Sequence, residues 1–451
     1  MLRLQLGRHA SGSLCAALVA LLCVLPLRAF AQDAVDADLY SSDELVWRSL
    51  SDNPTLTALY EEWCGATARA DAARSATPQP RLSYTAYLLA VETRQGSQRH
   101  ALMLSQAIPR RRALRANAAA ERTQSAVFAA RFDAHALQLE YEIRVRVVRL
   151  AESDALIQLL QQQRDIYGDV LHHLAAILPT GGAEHGDVLR TTLMVEVLSD
   201  RLATLHAGRA LTMRSLAGLV RIPHEERFDV NVPPLPTAAP ALPSAESLVQ
   251  RAADRSPMVA EHLMAAESAA VRAEAERLAV LPMPSVSAGW ASIGRYDTPL
   301  PGTGQGGRDV FSIGLSMPLP VFRQQFRAAE SAQLHVAEAA TQRAEAVRWQ
   351  LQVGIDEAIV LIADAGRRLD AYAAAVLPTA ADAADHYAIQ MGHGHSNHTA
   401  YLLAVEQQLQ LEQAVVAART QIALQLERIG LLTAATLGDQ TPTIESFEAT
   451  P

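Results

Sequence analysis

An interval of 212 residues organises this chain. Arg115, Leu139, Ile143, Val147, Leu150 and Gly182 recur as Arg327, Leu351, Ile355, Ile359, Ile362 and Gly394, each pair separated by the same 212 positions. The sequence is therefore an internal tandem repeat, and a repeat constrains the fold more than any local motif does. Within a copy the large apolar residues keep a helical period: Val347, Leu351, Ile355, Ile359 and Ile362 fall three or four positions apart. Taking Pro320 as the start and Gly392 as the end gives a helical run, straight or kinked, of about 70 residues, and at 1.5 Å per residue it reaches about 100 Å. The chain then turns at Gly392-His393-Gly394-His395 and returns as a second helical run to about Leu437. The first copy does the same from Pro109, through a turn at Gly181-Gly182, to about Val220. No globular domain needs helices of that length.

Residues 1–31 read as a secretory signal peptide, with Arg3 and Arg8 before an apolar core from Leu14 to Leu27 and a small-x-small site at Ala29-Phe30-Ala31. Neither Cys15 nor Cys23 follows the small residue of a lipoprotein site, so the mature chain is expected to begin at Gln32 without a lipid anchor. Cys64 is then its only cysteine, and stability rests on packing rather than on a disulfide. All 39 basic residues are arginine, against 48 acidic ones, for a net charge of -9. Without a dense basic stripe, that balance argues against a nucleic-acid partner. The hydrophobic fraction of 49% is carried largely by alanine and leucine while aromatics make up 5%, a profile that fits closely packed alanine-rich helices. Beyond the signal no run of about eighteen apolar residues occurs, which argues against a helical membrane protein and leaves a β-barrel open.

The repeat divides the mature chain into a first half, residues 32–221, a proline-rich linker, 222–243, a second half, 244–437, and a loose tail, 438–451. Asp43 to Leu50 has the pattern of a short helix. Asn53-Pro54 opens a longer one to about Ala76, and Ser256-Pro257 opens its counterpart to about Leu281. Pro78-Gln79-Pro80 and Pro282-Met283-Pro284 then break the helices and introduce hairpins over 81–105 and 285–317, each followed by a long helical pair, 109–220 and 320–437. In Asp309 to Met317, Phe311, Ile313, Leu315 and Met317 alternate with Ser312, Gly314 and Ser316, the period of a strand with one greasy face. Its partner, Ser285 to Ile293, sets Val286, Ala288 and Trp290 on one face, and the glycine-rich Pro301 to Gly307 lies in the loop between them. The first hairpin, Arg81 to Val91 with Gln98 to Ser105, alternates Leu82, Tyr84, Ala86 and Leu88 on its first strand.

Alternation alone admits two readings: a small sheet capping a helical bundle, or strands that cross a membrane, for which about 9 to 11 residues is the right length. Four strands cannot close a barrel with a usable lumen, but three copies supply about twelve, within the outer-membrane range. The membrane reading thus predicts a trimer. The linker from Ile222 to Pro243, with Pro223, Pro233-Pro234, Pro236, Pro240 and Pro243, is expected to run extended over the helices.

Taken together, several stretches resemble the TolC-type outer-membrane factor family, and within it the cobalt-zinc-cadmium resistance branch. They are Asn53-Pro54-Thr55-Leu56 with its echo Ser256-Pro257, and Leu104-Ser105-Gln106-Ala107-Ile108-Pro109 before the first long helix. Leu315-Ser316-Met317-Pro318-Leu319-Pro320-Val321-Phe322 precedes the second, and Gly186-Asp187-Val188-Leu189-Arg190 and Tyr401-Leu402-Leu403-Ala404 follow the two turns. The resemblance implies a mainly α fold with a small β part. Long antiparallel helical hairpins form a trimeric α-barrel with coiled-coil-like packing, and four strands per chain join a shared 12-stranded barrel in the outer-membrane lipid. It further implies the exit duct of a tripartite efflux system, docked on a periplasmic adaptor (membrane fusion protein) and fed by an inner-membrane RND-type pump.

In such a duct the turns open and dock, which singles out Gly181, Gly182, Gly186, Asp187, Leu189, Gly392, Gly394, Tyr401 and Leu402. Asp187 stands where the family often places an acidic residue. A ring of carboxylates favours cations, although an acid in the first turn of a helix also simply complements the helix dipole. The gate-lining aspartates of other members are replaced by Ala400 and Leu403. The second turn carries instead His393, His395 and His398, a short histidine tract able to hold zinc, copper or nickel through neutral imidazole, or to serve merely as polar loop. His185 lies in the other turn, and His172 and His173 are expected to face solvent or a neighbouring helix. Pro378 removes a backbone donor inside the second long run and should kink it. Arg110-Arg111-Arg112 reads as a polar collar beside the predicted strand, and neither it nor Arg367-Arg368 calls for a ligand. No phosphate loop, nucleophile elbow or His-Glu-x-x-His pattern occurs, so neither an enzyme nor a cofactor is expected. The alternative is a soluble periplasmic helical scaffold or metal-binding protein. The two differ at Phe311, Ile313, Leu315 and Met317, which face lipid in a channel and are buried against helices in a scaffold.

Overall fold

The computed structural model describes residues 38–93, 96–223, 228–295, 307–392 and 398–435. The expected signal peptide, the tail, most of the 301–307 loop, and His393, Gly394 and His395 lie outside the described residues.

Each half opens with two short helices. Helix α1 (Ser42–Asp52) starts at a capping box, in which the Ser41 hydroxyl accepts from the Glu44 N–H and the Glu44 carboxylate accepts from the Ser41 N–H. Asn53 ends α1 and caps α2 (Pro54–Arg74), its side-chain oxygen accepting from Thr55 and Leu56. The counterparts in the second half are α5 (Ala245–Arg255), capped by Ser244, and α6 (Pro257–Ala279). Helix α5 has too few large apolar positions to announce itself in the sequence.

The long helices follow the hairpins. α3 (Arg111–Ile177) runs 67 residues without a break, about 100 Å, and α4 (His185–Leu219) returns beside it. In the second half α7 (Gln324–Ala371) gives way to one π-helical stretch, Tyr372–Val376, before α8 (Leu377–Gly392), and α9 (His398–Thr433) returns. The irregularity sits immediately before Pro378, where the missing proline N–H leaves the preceding turn a carbonyl short of a partner. The Thr379 hydroxyl donates to the Ala375 carbonyl at 2.7 Å within that stretch.

The four hairpin strands form one antiparallel sheet in the order β2 (Arg81–Thr93), β3 (Gly96–Ala107), β5 (Ser285–Ile293), β6 (Val310–Ser316). Two expectations need correction. Met317 lies one residue beyond β6, because Pro318 cannot continue the ladder. The alternation through Leu88 is interrupted by an irregular stretch between Ala86 and Val91, where β2 carries more residues than β3 opposite. Below the sheet the same neighbour order continues: α2 packs on α3, α3 on α6, and α6 on α7. Arg131 to Glu261 at 2.8 Å and Arg272 to Glu121 at 3.0 Å join the halves along the α3–α6 contact.

The linker contains a short extended segment. Its β4 segment (Phe228–Val230) pairs with β1 (Asp38–Tyr40), Val230 is buried, and the Phe228 ring packs on Tyr40.

The repeat is visible in the cores. Leu45, Val46 and Leu50 of α1 pack on Leu139, Ile143, Val147 and Leu150 of α3. Leu248 and Ala252 of α5 pack on Leu351, Ile355 and Ile362 of α7. Ile143 and Ile355 are both fully buried. Ile143→Ala or Ile355→Ala should each cost about 2–5 kcal/mol, while the exposed Val360→Ala should stay within about 0.5 kcal/mol, read from urea unfolding midpoints. A pH effect is expected at Asp133, half-buried on α3, whose carboxyl burial pushes up to about 6 from its ordinary 3.8. Because the folded value is the higher one, its contribution is most favourable below about pH 4 and is lost as pH rises through about 6. Asp133→Asn should therefore stabilise the protein at pH 7.5 and leave it unchanged at pH 4. A shift of about two units corresponds to about 3 kcal/mol, and partial solvent screening reduces the expected gain to about 1–2 kcal/mol.

Candidate functional site

The residues singled out gather at the two ends of the long helices: the turns at one end and the sheet at the other. At the first turn α3 closes with a single 3₁₀ turn, Leu178–Thr180. Gly181 follows in the left-handed region at φ 74°, its N–H donating to the Leu178 carbonyl at 3.1 Å. Gly182 closes the turn with its N–H donating to the Ile177 carbonyl, and a Cβ there would stand 3.2 Å from the Ile177 side chain, a tight contact that glycine avoids. Gly186 lies in open space on the first turn of α4, and Leu189 is exposed. Asp187 is in that first turn, where it complements the helix dipole. It also accepts from the Thr399 hydroxyl on α9 at 3.4 Å, a bond that ties the two turns together.

At the second turn, Gly392 is the last residue of α8, and Gly394, His393 and His395 lie outside the described residues. His398, the third member of the histidine tract, opens α9 and is only 5% exposed. Neither of its ring nitrogens has a hydrogen-bond partner among the described residues, and its ring centre lies 6.2 Å from that of His173 on α3. No group of three or more potential metal ligands occurs among the described residues. Tyr401 is half-buried, and burial, with the charges of Asp385 and Asp169 added, raises its hydroxyl pKa.

Leu402 departs from its expected docking role. At 6% exposure it sits in the core of the turns with Tyr167, Leu198, Leu202, Ala384 and Leu409, because its side of α9 faces α3. Two polar side chains pin this seam: the Tyr167 hydroxyl donates to the Leu402 carbonyl and Gln163 to the Val405 carbonyl, both at 3.3 Å. Sequence reasoning passed over both, since they lie on the buried stripe of α3 among Leu160, Val170 and Leu174. Burial, and then the charge of Glu406, raises the Tyr167 pKa, as expected of a phenol kept neutral to donate.

At the other end, the sheet register brings the apolar residues of all four strands onto one face. Leu82 stands opposite Leu104, Tyr84 opposite Leu102, Leu102 opposite Trp290, and Trp290 opposite Phe311. Ala288 and Ile313 form another pair, as do Val286 and Leu315. The face is uncovered: Phe311 is 80% exposed, Ile313 89% and Leu315 77%. The opposite face is mostly small and polar, with Met103 and Val310 as larger apolar members. Gly289 stands opposite Ser312 and Gly314 opposite Ser287, each serine hydroxyl filling the room beside its glycine.

The sequence matches no protein-family model and no curated protein. Its fold does match solved structures. The chain is similar to the outer membrane protein VceC from the bacterial pathogen Vibrio cholerae, with a TM-score of 0.67, 17% identity, and 87% of this chain and 96% of that one covered. It is similar to the Campylobacter jejuni CmeC outer membrane channel, with a TM-score of 0.66, 14% identity, and 90% and 88% covered. It is also similar to CusC, a protein that undergoes conformational changes accompanying folding and transmembrane channel formation, with a TM-score of 0.67, 14% identity, and 87% and 91% covered. The chain therefore has the fold of these channels, the one implied by the TolC-type resemblance.

Removing the phenol hydroxyl in Tyr167→Phe should cost about 0.5–1.5 kcal/mol and raise amide exchange at 398–405 while leaving the sheet strands protected. Hydrogen exchange read by mass spectrometry checks this, and unchanged exchange at 398–405 would contradict the seam's role.

Proposed function

We propose that this chain is the exit duct of a tripartite efflux system. Three copies join their strands into one outer-membrane barrel, and their helices form a tunnel through the periplasm. The duct is passive: a periplasmic adaptor docks at the turns, and an inner-membrane RND-type pump supplies the energy. The observation that carries the reading is the sheet face. A four-stranded sheet with one exposed apolar face, one mostly small and polar face and, among the described residues, outer strands β2 and β6 paired on a single side suits lipid outside, water inside and neighbouring copies at both edges. A periplasmic scaffold would bury Phe311, Ile313 and Leu315 against helices. The shared fold with VceC and CmeC, an outer membrane protein and an outer membrane channel, supports the same reading.

At the docking end, Gly181, Gly182, Gly186, Leu189, Gly392, Gly394 and Tyr401 shape the surface offered to the adaptor. Threefold repetition makes Asp187 a carboxylate ring, which favours cations. Heavy-metal ions are the cargo class that the histidines at His393, His395 and His398 suit best, with His173 beside His398 as a further imidazole.

The test is the cell fraction and the native mass of the detergent-extracted protein. The reading predicts an outer-membrane protein of three chains, and Ile313→Arg should sharply lower its yield, since an arginine on the lipid face of a barrel costs about 2–4 kcal/mol at mid-membrane. A monomer in the soluble periplasmic fraction overturns it.

A further inference from the structure

An arginine-lined cleft of about 430 Å³ lies where the helices meet the sheet. Arg74, the last residue of α2, lies seven residues before β2, and Arg111, the first residue of α3, lies four residues after β3. Arg115 and Arg122 continue the cleft along α3, and Leu114, Ala118 and Ala119 form its apolar floor. At 3.6 residues per turn Arg111, Arg115 and Arg122 fall within about 40° of one another around the helix, a stripe about 16 Å long.

Four guanidinium groups gather here, and among the described residues none of them forms an ion pair. Glu121 is engaged by Arg69 and Arg272, and Glu274 by Arg112 and Arg277. Asp71, one turn before Arg74, forms no ion pair among the described residues. The end of α3 adds to the imbalance. Arg110 offers no side-chain cap, the first turn holds no acidic residue, and its free N–H groups and the positive end of the helix dipole meet Arg111 and Arg112. An anion relieves all of these at once.

The repeat supplies an internal control. The 212 interval places Arg323 and Arg327 at the positions of Arg111 and Arg115, and the 203 interval between Pro54 and Pro257 places Arg277 at that of Arg74. There one of the three, Arg277, has a carboxylate partner. Glu274 binds Arg277 with Glu330 adding its field, Leu334 stands in place of Arg122, and the neighbouring cleft beside Phe322 and Gln325 contains a single arginine, Arg323. The cleft that gathers four arginines lies in the first half.

We infer that this cleft binds phosphate groups, which arginine grips through paired N–H donors. Its length suits a headgroup with two phosphates, and its apolar floor and place at the base of the sheet suit a lipid. The lipid source rests on the membrane reading above; the phosphate chemistry does not.

The test uses the full chain in non-ionic detergent, titrated with cardiolipin, phosphatidylcholine and inorganic pyrophosphate and read by native mass spectrometry. Cardiolipin should bind at least tenfold tighter than phosphatidylcholine. The double variant R111Q/R115Q should lose at least tenfold, and R323Q/R327Q should stay within twofold of wild type. Exposed arginine-to-glutamine changes leave the oligomer intact, which the same spectra verify, so failure here is separable from failure of the duct reading. Pyrophosphate binding that is lost in R111Q/R115Q, without any preference for cardiolipin, upholds the phosphate site and overturns the lipid as occupant. Equal cardiolipin and pyrophosphate binding by R111Q/R115Q and wild type, or equal losses in the two double variants, overturns the site.

Discussion

The structure depends on what becomes of the free edges of one small sheet. β2 and β6 each pair on one side only among the described residues, leaving two rows of backbone donors and acceptors open. The face between them presents Leu82, Tyr84, Leu102, Phe311, Ile313 and Leu315 uncovered. Water tolerates open edges but not a wide apolar face, and lipid tolerates the face but not open edges. Copies joined edge to edge satisfy both demands, and on the proposed reading that joint is where the barrel closes.

The helices carry the same logic away from the sheet. The strand order β2-β3-β5-β6 continues as α2-α3-α6-α7, so the order of the sheet carries over to which helices are neighbours. Each half has its own anchor, α1 on α3 and α5 on α7, built from matched buried positions such as Ile143 and Ile355. The halves differ at the base of the sheet and along the second long helix. The first half gathers Arg74, Arg111, Arg115 and Arg122 in one cleft, whereas in the second Arg277 is held by Glu274 and the long helix passes through a π-helical stretch before Pro378.

Much of this was legible because it is periodic. The 212 interval exposed the duplication, the three-and-four spacing exposed the long helices, and the alternation from Phe311 to Ser316 exposed β6. What escaped was short or set by contacts distant in sequence. β1 and β4 are three residues each, too few for a period, and exist because they pair with one another. Leu402 and Leu189 look alike in the turns, but only packing against Tyr167 reveals that the first is buried. Likewise His398 stood out within its histidine tract, whereas its neighbour His173, 225 positions earlier, could be found only after α3 and α9 were placed together.

The central claim is that β6 has lipid on one side and water on the other. Spin labels placed singly from Val310 to Ser316, in a background with Cys64 replaced and the protein reconstituted in bilayers, measure this directly through collisions with oxygen and with a water-soluble nickel chelate. The account predicts oxygen exposure peaking at Phe311, Ile313 and Leu315 and nickel exposure peaking at Ser312, Gly314 and Ser316, a two-residue alternation in antiphase. Equal exposure to the nickel chelate along the whole strand would contradict it.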